Sequence, residues 1–447
     1  MSVDLTWVSY VALIVSAYYG FLFCLSLRRA TVADRSAPAR RPPFFVLVIP
    51  AHNESLVISE TLNAATALDY DDYLVLVMND GSADDTSALA KSFRGPTGRV
   101  EVIDRPASVA GRGKGDVLND AFSLISALLD TEDAILGGRS AVEIIVGVID
   151  GDGQLERHAL TEIAALFDDP WVGGAQIGVR IANARDRFLT RMQDLEFTGF
   201  SWFVQQARDR FGSVGLGGNG QFTRMSALLA LDSAPWTGCL TEDLDLGLRL
   251  VKAGWRVRFC AATSVAQQGV TAIRPLVRQR ARWIHGHYQC WRHIPSLLRS
   301  DRQRIITRID LCLYLILVVF VMLVFFNFVT GIAGAAGWIR IENEFLSFIP
   351  RGVAKNIFYE LVAFGPVVTF MWTYQRRSAH PLRFWEIPAY GFGFALYSYL
   401  WIAATVWAWI RIALGRDAWA KTRRVAASPA FVSNHIAITG QDGGVAG

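Results

Sequence analysis

Hydrophobic and polar positions alternate in two different ways along this chain. From residue 44 to about 149, short continuous apolar runs take turns with amphipathic stretches. Residues 44–50, 73–78, 99–103 and 143–149 read as strands, and 54–67, a stretch from Asp84, and 113–129 read as helices. Apolar runs without alternation, separated by helices, predict a parallel sheet covered on both faces. Ligands of such sheets bind beyond the carboxyl ends of the strands. Polar clusters stand at two of those ends: Asn79-Asp80-Gly81-Ser82 and Asp150-Gly151-Asp152. These two clusters are expected to share one crevice.

The second pattern is longer. Residues 6–27, 311–338 and 387–410 are uncharged, and 356–374 is a weaker run holding Glu360 and Pro366. A bilayer takes about 20 apolar residues to cross. The first run lacks the basic front end of a signal peptide and is followed by Arg28-Arg29. It reads as an uncleaved anchor with its C-terminal side in the cytosol. The expected organisation is an anchor over 1–29, a Pro/Arg/Ala linker over 30–43 and a cytosolic α/β domain over 44–270. Interfacial helices over 271–305, membrane helices over 306–412, and a basic tail with a disordered end over 413–447 follow. Three spans after the domain would leave Arg411, Arg416, Lys421, Arg423 and Arg424 outside, against the positive-inside rule, so one segment is expected to be re-entrant or interfacial.

Composition agrees with embedded segments. Of 447 residues, 52% are hydrophobic and 19% charged, and the net charge of +4 gives no case for nucleic-acid binding. Five cysteines without paired spacing read as buried free thiols in a reducing compartment.

The candidate chemistry lies in four clusters. Asp150-x-Asp152 offers two oxygen ligands of the kind Mg²⁺ or Mn²⁺ shares with substrate phosphates; alternatively, such pairs are loop acids. Thr241-Glu242-Asp243 opens a helical pattern over 241–254. It reads either as an N-cap with acids in the first turn or as the seat of a general base, Asp243. In Gln279-Arg280-Ala281-Arg282-Trp283, the Arg282 fork suits a diphosphate and the Trp283 indole suits a sugar ring. An amphipathic surface helix explains the same composition, and Arg274, Arg278, Arg280 and Arg292 are expected to be its anchors. Lys114 reads as a phosphate contact or a solvated loop lysine. Residues 215–220 match G-x-G-x-x-G but lie too deep in the chain to open a first βαβ unit, so they are expected to be a loop near the acceptor. His285 and His287, with no carboxylate at metal spacing, are expected at the surface.

With Ile49-Pro50-Ala51-His52-Asn53-Glu54 included, five motifs follow in order over about residues 44–300, and the chain resembles membrane glycosyltransferases of family 2. The resemblance implies an α/β fold of the GT-A type with a mostly parallel sheet, and inverting transfer from a UDP-sugar such as UDP-glucose or UDP-N-acetylglucosamine. It also implies a divalent metal at Asp152 with Asp150, and Asp243 as base beside Glu242. Pro50, Glu54, Asp80, Lys114, Asp150 and Arg282 are the expected nucleotide-sugar contacts, and Gln279 and Trp283 the expected acceptor contacts. The motif forms are most similar to poly-N-acetylglucosamine and cellulose-like synthases, which implies a growing β-linked polysaccharide in a multi-pass cell-membrane enzyme. Asp150-Gly151-Asp152-Gly153 departs from the Ala or Ser that cellulose-like members carry between the aspartates. The small membrane region implies a partner subunit or homodimer if a secretion channel exists. Glycolipid synthases share much of the motif set, so single transfer to a membrane lipid is the alternative. A catalytically dead scaffold or sugar-nucleotide sensor is a third reading, opposed by intact Asp152, Asp243 and Arg282.

Overall fold

The computed structural model describes residues 2–4, 6–27, 41–95, 98–131, 134–316, 330, 333–334, 336–342 and 353–415. Most of the 30–43 linker, the middle of the 311–338 run and the tail from 416, with Arg416, Lys421, Arg423 and Arg424, lie outside these residues.

A short strand β1 (Ser2–Asp4) pairs with β10 (Arg340–Glu342). The remaining strands form one eight-stranded sheet: β2 (Phe44–Ala51), β3 (Tyr73–Asn79), β4 (Val100–Asp104), β5 (Ile144–Val148), β6 (Gln154–Leu155), β7 (Val172–Ile181), β8 (Gln221–Arg224) and β9 (Arg256–Gln267). Their spatial order is β4-β3-β2-β5-β8-β7-β9-β6. The first four are mutually parallel, as the apolar runs predict. Beyond β5 the sheet turns mixed, because β8 runs antiparallel to both β5 and β7 while β7 and β9 are parallel.

Both faces of the parallel half are covered, and the two-residue period of a strand decides which side chain goes where. Val46, Val48, Leu74 and Leu76 face one apolar layer with Val117, Ala121 and Ile125 of the helix Lys114–Asp130. Phe45, Leu47, Val75 and Val77 face the other, with Ile58 and Leu62 of the helix Ile58–Thr66. That helix begins four residues later than expected, because Asn53 adopts a left-handed backbone (φ 52) and turns the chain first. The expected Thr241 cap is also replaced. No side-chain bond caps the helix Glu242–Lys252, and the Thr241 hydroxyl instead meets the thiols of Cys239 and Cys290 at 3.6 and 3.8 Å.

Among the described residues, two helical stretches are long and apolar enough to cross a membrane, Thr6–Leu27 and Phe384–Ala413. The first is tied to the domain: Tyr18 donates a 2.6 Å bond to Asp310, which also accepts Arg208 Nε at 2.8 Å. The second packs its Ala404 and Ala408 against Ala281 and Ile284 of the helix Ile273–Cys290. All five cysteines are free thiols, four of them buried and Cys24 exposed.

Candidate active site

The first two polar clusters form one stitched wall at the ends of β2 and β3. Asn53 donates its backbone N–H to Ser82 Oγ at 2.9 Å and accepts the Ala83 N–H at 2.8 Å, while Ser82 donates to Asn79 at 2.5 Å. The Asp80 carboxylate is held in place. Arg105, almost wholly buried, pairs with it and with Asp116 (2.5 Å) and Asp120 (2.7 Å), and the Gly111 N–H donates to it at 3.0 Å. Pro50 lies near the end of β2, in register with Met78 of β3. Glu54 is buried beneath the second cluster, and a Cβ on Gly151 would lie 2.7 Å from its Cγ.

Asp150 and Asp152 leave the end of β5 on a turn that tolerates no extra side chain. At Gly153 a Cβ would meet Ile149 at 2.7 Å and Asn219 at 2.9 Å. Asp150 donates its N–H to Asn219 at 3.1 Å, and its carboxylate accepts Lys114 Nζ at 2.5 Å. Asp152 is 2% exposed, with Oδ2 accepting the Gln268 N–H at 2.9 Å. Two carboxylates one residue apart, on a turn stripped of side-chain bulk, are a donor set that fits a hard divalent cation.

The glycine-rich loop brings the third cluster into the same place. It precedes β8, and because β8 is antiparallel to β5 the loop lies beside Asp150 rather than at the far end of the sheet. Gly218 has φ +78, and a Cβ there would lie 2.8 Å from Asp243 Oδ2 and 3.3 Å from Lys114 Nζ. Lys114 therefore stands between Asp150 and Asp243. Burial lowers the ammonium pKa, but the charges of Asp150, Glu242 and Asp243 outweigh it and raise the net value. Burial and then the Glu242 charge push the Asp243 carboxyl up from 3.8 to about 7, against the opposing pull of Lys114 and Arg282. A carboxylate with a pKa near neutrality is chemically able to accept a proton at working pH.

The helix Ile273–Cys290 closes the site. Gly286 lets it press on the third cluster, since a Cβ there would lie 2.6 Å from the Thr241 backbone nitrogen. Gln289 accepts the Leu240 N–H at 2.8 Å, and Arg282 donates to the Leu240 carbonyl at 3.2 Å. Gln279 and Trp283 are half-buried farther along this helix. Trp283 meets Phe197 edge-on at 6.1 Å and carries the Arg280 guanidinium 4.0 Å from its ring centre.

Two of the surface assignments are overturned. Arg280 is buried and paired with Glu196 at 2.6 Å, whereas Arg292 keeps its expected place at the surface and reaches from there to fully buried Asp245 at 2.6 Å. His285 is buried, while His287 is half-buried with its ring against Tyr314, and desolvation there drives its pKa down to about 4. Sequence reasoning also passed over Arg105, Asn219 and Glu196. Only Asn219 had a visible signal, its place inside the glycine-rich run.

The mixed sheet, with its Asp-x-Asp turn at the end of a central strand, has the architecture of a GT-A-type fold. A mannosyltransferase from Pyrobaculum calidifontis, solved with GDP-Man and Mn²⁺, shares the fold with a TM-score of 0.53 over 88% of this chain and 99% of its own, at 16% identity. A profile described as "Glycosyltransferase like family 2" matches residues 42–286, and the chain belongs to that family: it is a glycosyltransferase. It is 31% identical over 264 residues to a β-monoglucosyldiacylglycerol synthase of Trichormus variabilis, covering 58% of this chain and 52% of that protein. It is 24% identical over 258 residues to a poly-β-1,6-N-acetyl-D-glucosamine synthase of Staphylococcus aureus, covering 57% of each. The chain spans about half the length of the first of these relatives.

Proposed function

We propose that this protein makes a single inverting transfer of a hexose, from a nucleotide diphosphate sugar such as UDP-glucose, to the hydroxyl of a membrane lipid of the diacylglycerol type. The observation that carries this reading is the surroundings of Trp283. The helix bearing it packs along Leu400–Ala413, so the acceptor end of the site is walled by a stretch apolar enough to lie in a bilayer. The higher identity to a glucosyldiacylglycerol synthase than to a polymer synthase favours the same product.

In this mechanism Asp80, held by Arg105, and Glu54 line the nucleotide side. Asp243 takes the proton of the acceptor hydroxyl as that oxygen bonds to the anomeric carbon. The bond from that carbon to the diphosphate breaks, and the nucleoside diphosphate leaves with the electron pair. Arg282 faces the leaving charge, and Lys114 keeps Asp243 from rising above the working range. Asp150 and Asp152 would hold Mg²⁺ or Mn²⁺, which when bound neutralises diphosphate charge. Helix Ile273–Cys290 and the apolar segment shield the reacting carbon from water.

The test is product size. Purified protein in mixed micelles with diacylglycerol and a panel of UDP-sugars is expected to give one defined glycolipid. Trp283→Ala should slow its formation without changing its size. A ladder or a long polymer from the wild type, shortened by that substitution, would overturn single transfer in favour of a β-glycan synthase.

A further inference from the structure

The helix Ile273–Cys290 carries two neighbouring arginines with opposite settings. Arg282 lies toward Leu240 and Asp243. Arg280, 1% exposed, turns inward and donates through Nη2 to Glu196 at 2.6 Å and Tyr397 at 3.4 Å. Glu196 also accepts the Tyr397 hydroxyl at 2.6 Å and the Trp401 indole N–H at 3.0 Å. The same guanidinium lies 4.0 Å from the Trp283 ring centre and 5.4 Å from that of Trp401. One buried cation therefore touches both the indole of the acceptor motif and the apolar segment behind it.

This arrangement is a poor choice if holding helices together is all it does. The Nε and Nη1 groups of Arg280 are buried and meet no acceptor among the described residues. Unmatched buried N–H groups cost stability, and packed apolar side chains serve as well as a buried ion pair. What apolar residues do not supply is a flat, charged group held against the face of an indole. A guanidinium stacked on the ring and anchored in its own plane by a carboxylate is such a group.

We propose that Arg280 is a positioning residue for the acceptor. Anchored by Glu196, it fixes the Trp283 ring relative to Trp401, so that an acceptor with a polar head and an apolar tail meets both surfaces in register. This rests on the reading of Trp283 as an acceptor contact. It adds that acceptor affinity depends on the contact between this helix and the apolar segment, through a residue that touches no substrate.

The experiment compares wild type with Arg280→Lys, Trp401→Phe and the double variant R280M/E196Q, which removes both charges and leaves neither ion unpaired. The acceptor KM is expected to rise by about tenfold or more in the double variant, the scale of a desolvated cation–π contact. Nucleotide-sugar binding and acceptor-free sugar hydrolysis should stay within about twofold, since binding on the donor side is separable from acceptor binding. Arg280→Lys keeps the charge but loses the flat fork, and should raise the acceptor KM as well. An unchanged acceptor KM in the double variant, or equal losses on the donor and acceptor sides, overturns the proposal. If the double variant does not fold, Trp401→Phe decides: it removes one bond to Glu196, and an unchanged acceptor KM there also overturns it. Should the wild type extend a glycan instead of a lipid, single transfer fails, while the same KM comparison with the glycan acceptor still judges Arg280.

Discussion

Replacing Asp243 by asparagine separates what the carboxylate does for chemistry from what it costs the fold. Its pKa stands at about 7 in the native protein against 3.8 for the free group, because it is buried and lies next to Glu242. The native state therefore binds this proton more tightly than the unfolded chain does. Below pH 3.8 the group is neutral in both states and costs nothing; as pH rises the native state is penalised, with the full penalty above about 7. A displacement of that size corresponds to about 4 kcal/mol, of which the substitution should recover about 1–3 kcal/mol, because the asparagine amide is itself desolvated there. Asp243→Asn should thus unfold about 2–10 °C higher than wild type at pH 8, since about 1 kcal/mol moves a domain of this size by a few degrees. At pH 5 about a third of that gain should remain. Transfer should fall by roughly two to four orders of magnitude with nucleotide-sugar binding preserved, and the wild-type rate should climb through a midpoint near 7. Thermal melts in detergent at both pH values, with rates on the same samples, check all of this. A variant no more stable than wild type at pH 8 would refute the argument, because the carboxylate would then carry no strain for the substitution to release.

Asp152→Asn should abolish turnover, and a chelator should silence the wild type; full activity in excess chelator removes the divalent-ion assignment. Lys114→Met takes away a charge that holds the Asp243 pKa down, so the acid limb of the pH–rate profile should move above 7; a profile that stays put would separate the two residues. Gly286→Ala places a methyl 2.6 Å from the Thr241 backbone nitrogen and should cost about 1–3 kcal/mol in a denaturant melt, as overpacking does.

The parallel half of the sheet was legible because its strands are buried on both faces and so read as unbroken apolar runs. The expected 73–78 became Tyr73–Asn79 and the expected 143–149 became Ile144–Val148. The other half was not legible. β8 is four residues with Gln221 and Arg224 in it, and β9 carries Arg256 and Arg258, so their register comes from neighbours rather than from their own pattern. The crevice was readable from the strand ends, but Lys114 lying between Asp150 and Asp243 depends on the antiparallel entry of β8, which no local signal announces. Arg280 was misread for a different reason. Arginine beside tryptophan is the composition both of a membrane-surface anchor and of a buried cation stacked on rings, and only the partner Glu196, 84 residues earlier, tells them apart.

The change of direction at β5 also has a meaning in time. During synthesis β2, β3, β4 and β5 emerge in succession and can pair as they appear, since each lies beside a strand already made. The free side of β5 must wait for residues 221–224, so a nascent chain that has passed Val148 shows the wholly apolar Ile144–Val148 as an open edge. Open apolar edges recruit other chains. Truncated chains should therefore stop well before β5 or continue past β8, and chains ending between the two are expected to aggregate most.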